Sequence, residues 1–223
     1  MRVVVTEVTN MSGTMHCVAA CDVSTGAMIR PKPDGRNWTN EQIRHLGVKP
    51  NIILNLGANT RRQNESYLPH RNEDVALPYV EIQAEGEMEL ENPTFQSVRD
   101  CFGNNVQLGN GYQGYYKAYV NDGVDCPSLN GVLVLSQTFY LFFNTYKGRS
   151  QLRAKFKDSN DDGWDLGVTS TSLNQLIGSD NRQLQAYNRK LRQSRNLHLR
   201  VGLARRFPAQ HNRCFVQLNG IIV

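Results

Sequence analysis

Short apolar runs, each ended within a few residues by Gly, Pro, Asn or Asp, recur along this chain and select strands over helices. The clearest run is residues 151–157, where Leu152, Ala154 and Phe156 alternate with Arg153, Lys155 and Lys157. Successive strand side chains point to opposite faces, so this segment reads as a half-buried strand with three cations facing out. Residues 2–8 and 15–21 read as a hairpin around Asn10-Met11-Ser12-Gly13. Asp22-Val23-Ser24-Thr25-Gly26 turns the chain again. Residues 27–30 then form a short strand expected to stop at Pro31 and Pro33, which cannot donate to a ladder. Residues 51–56, 79–82, 131–135, 197–203 and 213–223 complete the expected strands, and the polar stretch 57–78 reads as one long loop.

Three helices are signalled. Thr39 and Gln42 make an S/T-x-x-E/Q capping box, with Gly47 placed to end the helix. Asn92 as N-cap and Pro93 at the first position open a second, with Phe95, Val98 and Phe102 expected on its buried face and Gly103 after it. Residues 183–195 place Leu184, Tyr187 and Leu191 on one side and Arg182, Arg189, Lys190, Arg192 and Arg195 on the other. The acidic run Glu85, Glu87, Glu89 and Glu91 marks the end of a first module. The expected division is an N-terminal module over 1–91, a helical connector over 92–105 and a basic C-terminal module over 106–223. The fold class is mainly β with a few short helices.

Charge separates the two ends of the chain. Residues 1–146 hold 11 Lys/Arg against 15 Asp/Glu, and residues 147–223 hold 14 against 5, with no acidic residue after Asp180. Such asymmetry is an electrostatic footprint for a polyanion. No apolar stretch approaches the roughly 20 residues of a membrane span. The opening run meets Glu7 before a signal-peptide core could form, so a cytoplasmic protein with no membrane partner is expected. The five cysteines, Cys17, Cys21, Cys101, Cys126 and Cys214, are odd in number and scattered, which predicts reduced thiols. Cys17 with Cys21, and His211 with Cys214, lack a second pair at zinc-site spacing.

Residues 158–163, Asp-Ser-Asn-Asp-Asp-Gly, match the opening of a calcium-binding EF-hand loop, but Thr169 stands where the bidentate Glu belongs. A polar hairpin turn is the expected outcome. His70, Glu73 and Asp74 are the best-clustered acid–base groups and the candidates for a metal-dependent nuclease or nucleotide hydrolase. The expected role is nonetheless structural, with the carboxylates capping N–H groups or pairing with Arg30, and the enzyme is the rival reading. No zincin, serine-hydrolase, Walker or dinucleotide motif occurs, so neither cofactor nor metal is expected.

The order of several segments resembles the bacterial dual OB-containing domain family, small predicted nucleic-acid-binding proteins, some in phage-defence settings. The matching segments are residues 4–13, Ile29-Arg30-Pro31, Pro69-His70-Arg71-Asn72-Glu73-Asp74, Ser128-Leu129-Asn130-Gly131, residues 152–156 with 166–169, and residues 199–205. They span nearly the whole chain, although Asn10 stands where a basic residue is expected. The resemblance implies two OB-like antiparallel β-barrel modules in tandem and carries over no catalytic residues. Basic residues on strands and loops, Arg30, Lys32, Arg153, Lys155, Arg200, Arg205 and Arg206, are the candidate phosphate contacts, and Trp38 and Tyr115 are candidate base-stacking rings. The expected partner is DNA or RNA, single-stranded or structured; the alternative is an acidic protein docking on the same basic face.

Overall fold

The computed structural model describes residues 1–11, 14–62, 67–89, 95–146, 148–206 and 212–223. They divide into two units, Met1–Asn92 with Pro127–Leu129, and Pro93–Cys126 with Asn130–Val223. Each is built on one curled sheet, and strands far outweigh helices.

In the first unit, β1 (Arg2–Asn10), β2 (Met15–Asp22), β3 (Met28–Pro33), β4 (Trp38–Thr39), β5 (Ile52–Asn55), β6 (Arg61–Arg62), β7 (Asp74–Leu77) and β8 (Gln83–Glu87) form a sheet of order β6-β7-β3-β2-β1-β5-β8, with β4 on β2. Strand β1 is flanked on both sides, and a bulge between Val5 and Glu7 breaks its alternation, so Val3 to Val8 form an unbroken buried run. Val3, Val5, Val18, Ala20, Trp38, Leu54 and Leu56 anchor the core. The capping box starts α1 (Asn40–His45): the Gln42 N–H donates to Thr39 Oγ1 at 3.2 Å, and the Thr39 N–H donates to Gln42 Oε1 at 2.9 Å.

Three sequence expectations fail here. β3 does not stop before its prolines but runs through both, because β7 joins it in parallel from Arg30 to Pro33. The Arg30 N–H donates to Glu73 O and the Asp34 N–H to Leu77 O, both at 2.7 Å, so even-numbered residues carry the ladder and the prolines' missing N–H groups face away from it. The supposed loop 57–78 contains β7, all four residues of which are buried. Tyr79–Glu81 is a 3-10 turn rather than a strand.

In the second unit, α2 (Val98–Cys101) precedes β9 (Gln107–Tyr112), β10 (Tyr115–Asn121), β11 (Leu129–Leu135), β12 (Tyr140–Tyr146), β13 (Arg149–Lys157) and β14 (Gly163–Val168). The helices α3 (Thr171–Ile177) and α4 (Asn181–Leu191) lead into β15 (Asn196–Leu203) and β16 (Arg213–Ile222). The sheet order is β11-β15-β16-β10-β14-β13-β12, with β9 on β10. It curls because β14 pairs in parallel with one end of β10 and also with β16, while β16 pairs antiparallel with the other end of β10. Most pairings in both sheets are antiparallel. Phe139 stacks on Phe156 within a core that includes Phe102, Trp164, Ile177 and Leu199.

The helix expected from Asn92 to Phe102 is a single turn, capped by Ser97, whose Oγ accepts from the Asp100 N–H. Asn92 and Pro93 lie outside the described residues. Val98 and Phe102 are fully buried, but Phe95 is 38% exposed and bridges Val132 as a strand residue. Helix α4 begins at the Asp180 cap and ends at Leu191, short of the expected Arg195, and α3 was not expected. The calcium-like motif is the β13–β14 turn. Its Asp158 Oδ2 accepts from the Val98 N–H at 2.9 Å and from Trp164 Nε1 at 2.7 Å, and Asp162 pairs with Arg99. Among the described residues no helix is long and apolar enough to cross a membrane.

Candidate functional site

Strands β12, β13 and β14 set the geometry of the site through their register. Tyr140 lies opposite Lys155, which lies opposite Asp165; Phe142 lies opposite Arg153, which lies opposite Gly167. These residues share the face away from the core, because their neighbours Leu141, Leu152, Ala154, Phe156 and Leu166 are buried. Tyr115 of β10 joins the same face opposite Gly163, and Tyr112 of β9 pairs with Tyr115. A Cβ on Gly163 would collide with the Gly114 carbonyl, so this close approach of β10 to β14 requires glycine.

Rings gather around one ammonium. Lys155 Nζ lies 5.2 Å from the Tyr115 ring centre, 5.3 Å from Phe142 and 5.9 Å from Tyr112, all within cation–π range. Tyr140 and Phe142 contact each other at 5.8 Å, and Tyr112 is 69% exposed. Arg153 turns across Gly167 to Asp165, its Nε 2.7 Å from Oδ1 and its Nη2 2.9 Å from the backbone oxygen. Burial, then Tyr115 and Asp165, push the Tyr140 phenol up, so it is neutral at physiological pH. The hydrogen bond and charge of Asp161 hold Lys157 protonated beside this face. The outcome is a partly open surface of rings interleaved with cations.

Other candidate residues meet different fates. Arg30 is only 3% exposed, paired with Asp74 at 2.9 Å and donating to Ser128 Oγ at 2.8 Å. Asp74 is its register partner across β3 and β7, and Lys32 approaches the other Asp74 oxygen at 3.7 Å. Glu73 accepts from the Ser128 N–H at 2.7 Å and from its hydroxyl at 2.9 Å. Burial raises the Glu73 pKa above the usual carboxylate range, against the pull of Arg30. His70 is buried with its ring edge-on to Tyr67. The carboxylates thus bind protein donors, as the structural expectation for this cluster has it. Trp38 is buried, its Nε1 donating to Pro31 O at 2.8 Å.

Arg200 is also buried, because a bulge between Arg200 and Val201 ends the alternation that would have turned it outward. Arg30, Trp38 and Arg200 are therefore corrected from surface contacts to interior residues. Arg205 is half-buried, and Arg206 is exposed and paired with Asp122 at 3.0 Å. His211 lies outside the described residues. Cys21, Cys101, Cys126 and Cys214 are buried thiols and Cys17 is half-buried. Among the described residues no three His, Cys, Asp or Glu side chains converge as metal ligands.

The structure thus brings Arg153, Lys155 and Tyr115 together and adds Tyr112, Tyr140 and Phe142 to them. Tyr140 and Phe142 escaped the sequence reading. Their signal was the alternation with buried Leu141, shortly before the alternation of residues 151–157 in the sequence. No protein-family model and no curated protein matches the chain.

Proposed function

We propose that the second unit binds single-stranded nucleic acid across the outer face of β12, β13, β14 and β10, and that both units are OB-like modules. The observation that carries this reading is Lys155 among the rings of Tyr112, Tyr115 and Phe142, with Arg153 one register step away. Every base has a π-face, and stacking on an aromatic side chain contributes about 1–3 kcal/mol per base. Phosphates need only nearby cations, and each contact releases a condensed counterion. A curled, mainly antiparallel sheet with such a face is the arrangement OB folds use for oligonucleotides, and the family resemblance points the same way. The buried Glu73 and Asp74 give no comparable support to a hydrolase.

The test is a gel-shift series with single-stranded oligonucleotides and the full chain. Tyr115→Ala and Phe142→Ala are each expected to weaken binding about 5- to 150-fold, the equivalent of one lost stacked base. Equal affinity of wild type and both variants, or no binding at low salt, overturns the reading.

A further inference from the structure

Helix α4 carries Arg182, Arg189 and Lys190, with Arg192 just past its last turn, and all four are exposed. At 3.6 residues per turn, Leu184 and Leu191 mark its buried side, Arg182 and Arg189 fall opposite, and Lys190 and Arg192 flank them. Gln and Ala share that outer face, and the acid next to it in sequence, Asp180, accepts from the Arg182 N–H at 2.7 Å as the helix cap. Helix stability accounts for only part of these charges. Cations suit the last turn, but Arg182 sits in the first turn against the dipole, and Arg189 and Arg192 repel each other at i, i+3.

The helix is also joined to the proposed binding face. The Leu141 N–H donates to Asn188 Oδ1, and Asn188 Nδ2 donates to Leu141 O, both at 2.9 Å, so the amide occupies the open edge of β12 as another strand would. Leu141 lies between Tyr140 and Phe142, and Arg189 and Arg192 lie within about one turn of Asn188. We infer that the exposed side of α4 holds the phosphates of a single strand running off the β12 edge, lengthening the binding site by a few nucleotides. This rests on the sheet-face reading above.

Fluorescence anisotropy of the full chain with labelled single strands of about 5 and about 15 nucleotides separates the two. Arg189→Gln/Arg192→Gln is expected to bind the short strand as wild type does. On the long strand it loses about twentyfold in affinity at 0.1 M salt, and the salt slope falls by about 1.4, because each single-strand phosphate contact adds about 0.7. Arg189→Lys/Arg192→Lys restores the long-strand affinity, and the thermal midpoint is unchanged, Gln being a good helix former. Lys155→Ala/Phe142→Ala weakens binding to both lengths. Wild-type affinity of the Gln variant for the long strand, or equal losses on both lengths, overturns the inference and leaves the sheet-face reading standing. Binding of neither strand by wild type removes both. If the Gln variant loses binding only to phosphatidylserine vesicles, the helix docks on a membrane surface and the inference fails.

Discussion

Arg30 of the first unit and Lys155 of the second are both cations on strands, and their surroundings treat them oppositely. Arg30 is closed in by Asp74 and Ser128 and is 3% exposed; Lys155 sits among three rings on a half-open face. A carboxylate neutralises its partner and satisfies its donors, whereas a ring attracts the cation and leaves its charge unneutralised. The number of cations in a segment therefore says little about binding. What each cation faces decides whether it stabilises the fold or is offered to a ligand.

The sharpest way to break this comparison is to remove each cation. Arg30→Ala leaves the buried Asp74 carboxylate with only the longer Lys32 ion pair in place of its hydrogen-bonded one and is expected to cost about 3 kcal/mol in denaturant unfolding. Lys155→Ala leaves no buried charge behind and is expected to stay within about 1 kcal/mol of wild type. Similar losses for the two would erase the distinction.

The second test is pH dependence. Burial raises the Glu73 pKa in the folded state, so between the unfolded and the folded pKa the folded chain holds a proton that the unfolded chain has released. The Glu73 contribution to stability is therefore largest below its unfolded pKa of about 4.3 and declines as pH rises through its elevated folded value. The stability difference between wild type and Glu73→Gln, followed by urea unfolding from acid to neutral pH, is expected to move against wild type as pH rises. A flat difference contradicts the buried, proton-retaining site.

These contrasts were only partly legible in the sequence. The alternation of residues 151–157 placed Arg153 and Lys155 on an outer face, and the Thr39–Gln42 box placed α1, because both signals are local. The partners of the cations were legible only in part: the sequence offered Arg30 to the Glu73 and Asp74 carboxylates, but not the strand pairing that joins them. Tyr140 and Phe142 reach Lys155 and Arg153 through strand register, and the strand that brings Asp74 to Arg30 across 44 residues is four residues long, too short to stand out in a polar stretch. Arg200 misled because a bulge reverses parity without leaving a mark in the sequence. The first-unit prolines misled because a one-sided parallel ladder tolerates them.

Smaller effects sharpen the comparison within the second unit. Arg153 is the intermediate case, a cation on the open face with a carboxylate partner. Asp165→Asn releases it and is expected to strengthen single-strand binding about fivefold at 0.1 M salt, with one more contact's worth of slope. An unchanged slope means Arg153 contributes no phosphate contact. Lys157→Ala, which removes the exposed pair with Asp161, is expected to leave the thermal midpoint unmoved.

Amide chemical-shift mapping of the full chain with a single-stranded oligonucleotide locates the binding face residue by residue. Perturbations are expected to cluster at Tyr112, Tyr115, Tyr140, Phe142, Arg153 and Lys155, with Arg30, Glu73 and Asp74 unmoved. Perturbations centred on Arg30, Glu73 and Asp74, with the β12–β13–β14 face silent, would contradict the sheet-face reading.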